Sequence, residues 1–347
     1  MNSEEVFKIR TQTDFEKSAL KIFRLQAEKN AIYKKYIQQL GVKAEKVNVI
    51  SRIPFLPIEF FKSNKIITKP PVSRPPSHVF LSSGTTRMKR SKHHVSDIKL
   101  YEKSFRKGFE IFYGEVKQYH MLAFLPSYYE NKNSSLLYMV NDLMKSSGKK
   151  ESRFYKSNEQ KLLLDTIKNL LTGKKKVILF GVSYALLDLT PPAQGLSPLS
   201  HDLTPNPSPK TGEGSSSLFV IETGGMKGRR EEITREELHK ILSEKFGVKK
   251  IHSEYGMTEL LSQAYSTGDG IFKSPPWMKI FVREVNDPFS FLTHGKTGAL
   301  NIIDLANINS CSFIATQDVG RTQNDGSFEV LGRMDHSDLR GCNLLAG

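Results

Sequence analysis

Between residues 121 and 252, short apolar runs alternate with amphipathic stretches, and that alternation leaves the chain few ways to fold. Residues 121–125 and 177–180 are almost wholly apolar, as strands covered on both faces must be. Residues 134–146 and 158–171 carry apolar side chains at helical spacing, and 184–189 reads as a short helix. The pattern continues with a strand at 218–221 and a helix over Arg235–Phe246, for which Thr234 and Glu237 form a capping box. A short strand at 249–252 ends the series. Such alternation predicts an α/β protein with a largely parallel sheet.

The flanks follow other rules. Residues 13–28 form an amphipathic helix with Phe15, Ala19, Ile22, Phe23 and Leu25 on one face, and a second helix spans 32–40. Ile53-Pro-Phe-Leu-Pro57 excludes a helix interior and predicts an extended, packed segment over 53–61. A strand at 79–81 leads into a polar loop. Asp97 then caps a helix whose inner face carries Ile98, Tyr101, Phe105, Phe109 and Phe112. From Trp277 onward the period is that of strands, at 278–285, Gly298–Asp304, 312–316 and 327–331, which predicts a small β-subdomain. Residues 190–217 are rich in Pro, Gly and Ser and show no period, so they are expected to be a disordered insertion.

Charge and cysteine usage exclude several classes. The net charge of +15 comes from 51 Lys+Arg against 36 Asp+Glu, spread along the chain without a nucleic-acid motif. A solvated basic surface is the first reading, anionic substrates the second, and no nucleic-acid partner is expected. No apolar run is long enough for a membrane span, and the N-terminus has no secretory core, so a cytoplasmic protein is expected. The two cysteines, Cys311 and Cys342, offer neither a zinc site nor a disulfide framework. His93 and His94 fall in a basic loop, and His252, His294 and His336 are scattered; no zinc or triad spacing joins them, and polar lining or surface positions are expected.

Three polar, Gly-containing stretches stand where strands are expected to end. His252-Ser-Glu-Tyr-Gly-Met-Thr-Glu259 puts an aromatic face, a hydroxyl and a carboxylate within five residues, Tyr255 to Glu259. A nucleotide–metal site needs that set: a ring to stack on a base, a hydroxyl for a phosphate, a carboxylate for Mg²⁺. Ser82-Ser-Gly-Thr-Thr86 lacks Walker A spacing, yet its hydroxyls and backbone N–H groups can cradle a phosphate. The third stretch is Asp318-Val-Gly-Arg321 with Gly332-Arg-Met-Asp335. Taken singly, each of these is also an ordinary connector or a surface ion pair.

In this order and spacing the stretches resemble the adenylate-forming superfamily of acyl-CoA synthetases and luciferase-like enzymes. Ile53–Pro57, Ile221-Glu-Thr-Gly-Gly-Met-Lys-Gly-Arg229 and Arg340-Gly-Cys-Asn-Leu344 make the chain similar, within that group, to the LuxE-like acyl-protein synthetases, which are fatty acid–protein ligases. The resemblance covers nearly the whole chain outside 190–217. It implies a large N-terminal domain of adenylate-forming type, with mixed parallel sheets and a small β-subdomain, over residues 1–331. Residues 332–347 would be a hinge-like segment, with the full C-terminal lid domain absent.

The resemblance also implies roles. Ser82, Ser83, Gly84, Thr85 and Thr86 would form the ATP phosphate loop. Gly224 and Gly225 would line the adenine pocket, with Tyr255 and Gly256 at the ring. Thr258 would contact phosphate, Glu259 would hold Mg²⁺, Asp318 would accept from the ribose hydroxyls, and Arg333 would fix the ribose or α-phosphate side. After Thr86 the superfamily continues Gly-x-Pro-Lys; here Arg87-Met-Lys-Arg90 follows, so Arg87, Lys89 or Arg90 would replace the lysine. A cysteine near the C-terminus accepts the acyl group in this family, a role that Cys342 fits, with Arg340 nearby to favour the thiolate. The bland alternative is a small buried side chain, as Cys311 reads. The expected activity is ATP-dependent activation of a fatty or other carboxylic acid and transfer to a thiol, with an acceptor or reductase protein as partner. Transfer to coenzyme A or a carrier protein, or a degenerate nucleotide-binding member, are the alternatives.

Overall fold

A computed structural model describes residues 3–68, 78–83, 89–126, 133–189, 217–225 and 233–334. The strands in chain order are β1 (Leu56–Pro57), β2 (His78–Leu81), β3 (Lys92–Val95), β4 (Tyr119–Phe124), β5 (Arg153–Phe154), β6 (Lys176–Val182) and β7 (Ser217–Thr223). They continue with β8 (His252–Tyr255), β9 (Ala264–Ser266), β10 (Phe272–Lys273), β11 (Met278–Arg283), β12 (Gly298–Asp304), β13 (Phe313–Thr322) and β14 (Phe328–Arg333). The helices are α1 (Gln12–Lys29), α2 (Ala31–Gln39), α3 (Phe60–Ser63), α4 (Ile98–Tyr113), α5 (Ser135–Ser147), α6 (Gln160–Thr172), α7 (Ser183–Asp188) and α8 (Arg235–Phe246). Contacts divide the chain into two units: residues 1–104, 257–263 and 273–347 form the first, and 105–256 with 264–272 the second.

The second unit contains the expected parallel sheet, in the order β5-β4-β6-β7-β8, with β9 antiparallel to β8. Every residue of β4 is buried, and β6 is buried beyond Lys176, which explains why both strands read as continuous apolar runs. α5, α6 and α8 contribute one buried face each, among them Leu143, Ile167 and Leu242. Their ends follow local chemistry. The Ser134 hydroxyl caps α5, the Thr234 hydroxyl accepts from the Glu237 N–H at 3.1 Å, and Gly148 and Gly247 close α5 and α8 in the left-handed region. Near the end of β6, a Cβ on Gly181 would lie 2.4 Å from Leu186 Cδ2, so a larger residue there would force the Leu186 side chain of α7 to move.

The first unit carries the β-subdomain. β11, β12, β13 and β14 are antiparallel in that order, and β1 joins β13 in parallel. Phe313 anchors the core: Tyr33 stacks on it at 6.1 Å, and Phe23 and Phe55 meet it edge-on at 6.0 and 6.3 Å. Buried amides tie α1 to the turn after β12. Gln26 Nε2 donates to the Asn307 and Ile308 carbonyls, and Asn30 Nδ2 donates to the Ser310 carbonyl at 2.9 Å. β2 and β3 form a separate antiparallel pair.

Three expectations change. The strand expected at 249–252 is β8, which begins at His252 and runs to Tyr255, because Ile221 to Thr223 of β7 pair there. The strand expected at 312–316 continues to Thr322, so Asp318–Arg321 lie within β13; β14 supplies the antiparallel partner, and a register shift between Val319 and Gly320 absorbs the bend. The extended segment over 53–61 ends after Pro57, and Phe60–Ser63 is the single turn α3. Of the expected insertion, residues 190–216 lie outside the described residues, and Ser217 opens β7. No helix among the described residues is long and apolar enough to cross a membrane.

Candidate active site

The residues singled out by sequence fall into two sets. Ser82, Ser83, Thr258, Glu259, Asp318 and Arg333 belong to the first unit; Gly224, Gly225, Tyr255 and Gly256 belong to the second. Gly84, Thr85, Thr86, Arg87, Asp335, Cys342 and most of the segment 332–347 lie outside the described residues, as does the stretch 226–232.

In the first unit, the base of the 82–90 loop is pinned by its own strands. The Ser82 hydroxyl accepts from the Ser91 N–H at 3.0 Å, and the Ser82 N–H donates to the Ser91 carbonyl. Ser91 also reaches Glu259, where its hydroxyl bonds the carboxyl group. Glu259 is 4% exposed. Burial pushes its carboxyl above the ordinary range, and the negative charge of Asp318 adds to that, while the Ser91 hydrogen bond and the positive charge of Arg333 work against it. No cation stands within ion-pair distance of Glu259 among the described residues. Asp318 and Arg333 are cross-strand partners in β13 and β14, with Arg333 Nε 4.0 Å from Asp318 Oδ1. The Ser82–Ser91 base of the loop, a buried carboxyl, a half-buried aspartate and an exposed arginine thus act on one another.

The backbone that presents Thr258 and Glu259 is held by side chains outside the motif. His93 Nδ1–H donates to the Thr258 carbonyl at 2.8 Å, and Asn307 Nδ2 donates to the Glu259 carbonyl at 2.7 Å. Asp304 accepts from the N–H groups of Leu261 and Ser262 at 2.8 and 3.0 Å and from the Ser262 hydroxyl at 2.6 Å. Burial raises the Asp304 carboxyl to about 6. The Trp277 indole donates to the Ser262 hydroxyl at 3.0 Å, closing the far end of the loop.

His93 corrects the expectation of a lining or surface residue. It lies in β3, is fully buried, and its ring is pushed down to about 4 by burial, so it is neutral and carries its proton on Nδ1. Of this supporting group only the alternation in Lys92–Val95 hints at burial; Asp304 and Asn307 look like ordinary strand-end residues. Cys311 follows its expectation: it is buried, and burial pushes its thiol up to about 12, so it offers no thiolate near neutral pH.

In the second unit, β7 and β8 are parallel neighbours whose C-terminal ends carry the other set. Gly224 follows β7 with φ 72°, a backbone state that favours glycine. Tyr255 ends β8, with its ring edge-on to Phe272 at 5.9 Å. Beneath these ends lie two buried carboxyl groups that the motifs did not single out. Burial alone would raise Glu222, but hydrogen bonds from His239, Ser183 and Ser253 and the Arg235 charge, 2.9 Å away, bring it below the ordinary value. Burial raises Glu254 to about 7, where it accepts from the Thr223 hydroxyl at 2.5 Å. The C-terminal edge of a parallel sheet is where α/β folds bind ligands.

Comparison with known proteins gives the following. The family model described as "Acyl-protein synthetase, LuxE" matches residues 8–346. Among curated protein sequences none matches the chain. Among solved structures, a 2-hydroxyisobutyryl-CoA ligase in complex with 2-HIB-AMP and CoA is similar with a TM-score of 0.62 at 11% identity, over 94% of this chain and 77% of that one. The same ligase in a postadenylation state with R3-HIB-AMP gives 0.61 at 12% identity, over 93% and 68%. An ATP-bound RpMatB-BxBclM chimera gives 0.50 at 16% identity, over 76% of this chain and 49% of that one, so the chain spans about half its length. At these identities the likeness is one of fold.

Proposed function

The chain belongs to the acyl-protein synthetase (LuxE) family, and from that premise we propose that it activates a carboxylic acid, a fatty acid foremost, with Mg-ATP and passes the acyl group to a cysteine thiol. In the first step an oxygen of the acid attacks the α-phosphorus of ATP. The bond from that phosphorus to the bridging oxygen breaks, and pyrophosphate leaves with the electron pair. In the second step the Cys342 thiolate attacks the acyl carbonyl carbon, the bond to the AMP oxygen breaks, and a thioester and AMP result. A reductase or another acceptor protein would then take the acyl group.

The observation that carries this reading is the group around Glu259. A buried carboxyl with no cationic partner among the described residues is costly to ionise, and a bound divalent cation would remove that cost. Mg²⁺ needs only one or two protein carboxylates when phosphate oxygens complete its shell, so Glu259 suffices as protein ligand. When bound, the metal would neutralise charge on the phosphates. Asp318 would accept from the ribose hydroxyls, and Arg333 would help fix the ribose or the α-phosphate side. Ser82, Ser83, Gly84, Thr85, Thr86 and Thr258 would donate to phosphate oxygens. Gly224, Gly225, Tyr255 and Gly256 would take the adenine ring.

ATP–pyrophosphate exchange across short, long-chain and aromatic acids tests the first step, and exchange with at least one acid is expected. Cys342→Ser should keep exchange and lose incorporation of labelled acyl groups into the protein. Equal labelling of both proteins removes Cys342 from the reaction. AMP release that depends on added coenzyme A favours the CoA acceptor. No exchange with any acid overturns the activity.

A further inference from the structure

A cavity of about 180 Å³ lies in the first unit, beside the segment leading to Asp318. Tyr36, Phe55 and Phe289 form its aromatic walls, and Glu59, Arg283 and Gln317 contribute polar groups. None of the residues assigned to ATP lines it. We propose that this cavity binds a small carboxylate with an apolar or aromatic body, of about the size of benzoate, with the Arg283 guanidinium as its anion-binding group.

Arg283 is the reason. It is 7% exposed, and its contacts among the described residues are all neutral: Nε donates to Asn301 Oδ1 at 3.0 Å, Nη1 to the Glu284 carbonyl at 3.3 Å, and Nη2 to the Thr316 carbonyl at 3.0 Å. These contacts fix the plane of the guanidinium and use three of its five N–H groups. No carboxylate lies within ion-pair distance of it among the described residues. A buried cation without a counter-ion is costly, and a fixed fork with free N–H groups suits a carboxylate. Next to it, Asn301 Nδ2 is buried without a hydrogen-bond partner.

Size and wall chemistry narrow the ligand. An apolar cavity of about 150 Å³ holds benzene, and the present volume adds room for one carboxyl group. Glu59 is the charge in the wall that opposes an anion; it acts on Arg283 at a distance without pairing with it. Its removal should therefore tighten the binding of an anion and weaken that of a cation. The cavity also touches the neighbouring site: Gln317 Oε1 accepts from Arg333 Nη2 at 3.3 Å.

The test is titration of the full-length protein with benzoate, cyclohexanecarboxylate and the neutral isostere benzamide, followed by calorimetry or ligand-observed NMR without ATP. Saturable benzoate binding in the millimolar range or tighter is expected, which about nine non-hydrogen atoms support. Benzamide should bind about tenfold more weakly, and Arg283→Gln should weaken benzoate by about tenfold. Glu59→Gln should tighten benzoate severalfold, and this partly exposed position keeps the test valid should Arg283→Gln fail to fold. Absence of saturable benzoate binding, equal binding of benzamide, or weaker benzoate binding in Glu59→Gln overturns the proposal. ATP–pyrophosphate exchange reads the other site separately, so either reading can fail alone.

Discussion

Glu259→Gln separates a functional carboxylate from a structural one. Gln has nearly the same shape and can still accept from the Ser91 hydroxyl, so the substitution removes charge and little else. In the free protein that charge is buried at 4% exposure without a cation in ion-pair distance among the described residues. Replacing an uncompensated buried charge by a neutral isostere removes a burial penalty and should be neutral or stabilising. A rise in melting temperature of a few degrees follows. The pH dependence adds a second readout. Burial holds the folded pKa above the ordinary glutamate value of 4.5, so the folded protein binds this proton more tightly than the unfolded chain does. Wild-type stability should therefore fall as pH rises from 4.5 through the folded pKa, and the Gln variant should lack that slope. Catalysis should move the opposite way: loss of the oxygen proposed to hold the metal should remove roughly 3–4 kcal/mol of transition-state stabilisation, or about 10²–10³ in exchange rate. The assays are thermal melting of the nucleotide-free protein across pH and ATP–pyrophosphate exchange. A variant that melts lower than wild type while exchange persists would falsify the reasoning, because Glu259 would then be a structural acceptor.

Three further outcomes follow from other parts of the molecule. Asp318→Ala should raise the KM for ATP by about tenfold, while loss of its ion pair with exposed Arg333, long at 4.0 Å, should cost only about 0–1 kcal/mol; an unchanged KM would remove the ribose role. His93 is held neutral with a folded pKa near 4 against 6.5, so stability present above pH 6.5 should be lost as pH falls toward 4, on the order of 3 kcal/mol in all. Urea unfolding at pH 7 and pH 5 should show a smaller loss in His93→Gln, and an equal loss would assign the effect to other groups such as His252. Gly181→Ala forces a Cβ to 2.4 Å from Leu186 Cδ2 and should cost about 1–3 kcal/mol by overpacking, read as a lower melting temperature; an unchanged melting temperature would show that Leu186 moves aside without cost.

How far the sequence shows this molecule depends on whether a property is local. The N-cap at Thr234, without the reciprocal Glu237 bond of the expected capping box, the helix start at Asp97 and the limits of β12 were legible because hydrogen bonding and apolar period within a few residues decide them. The length of β13 was not, because Asp318 to Arg321 stay extended only where β14 pairs with them, and β14 lies beyond an intervening turn. The same holds for β8, whose start is set by Ile221 of a different strand. Within the candidate site the motif residues were legible as types: Tyr255, Thr258, Glu259 and Asp318 carry side chains suited to a nucleotide. His93, Asp304 and Asn307 were not, since nothing within ten residues of any of them indicates that its side chain bonds the 257–263 backbone.

Those hidden residues bear on what the motif can do. Around Thr258 and Glu259, two carbonyl groups and two N–H groups are satisfied by His93, Asn307 and Asp304, side chains from other parts of the first unit. A loop held only by solvent would lose conformational freedom when ligand binds, at roughly 1–2 kcal/mol per residue ordered. Here that ordering has already occurred during folding, so ligand binding need not supply it. The protein accepts a cost for this: burial holds the Asp304 carboxyl near 6 and His93 near 4, so both ionise less readily than they would in water. A chain selected for stability alone would favour apolar side chains at such positions. Polar groups retained there, all aimed at the backbone that presents Glu259, make sense if that carboxyl must stand in one position before a cation arrives.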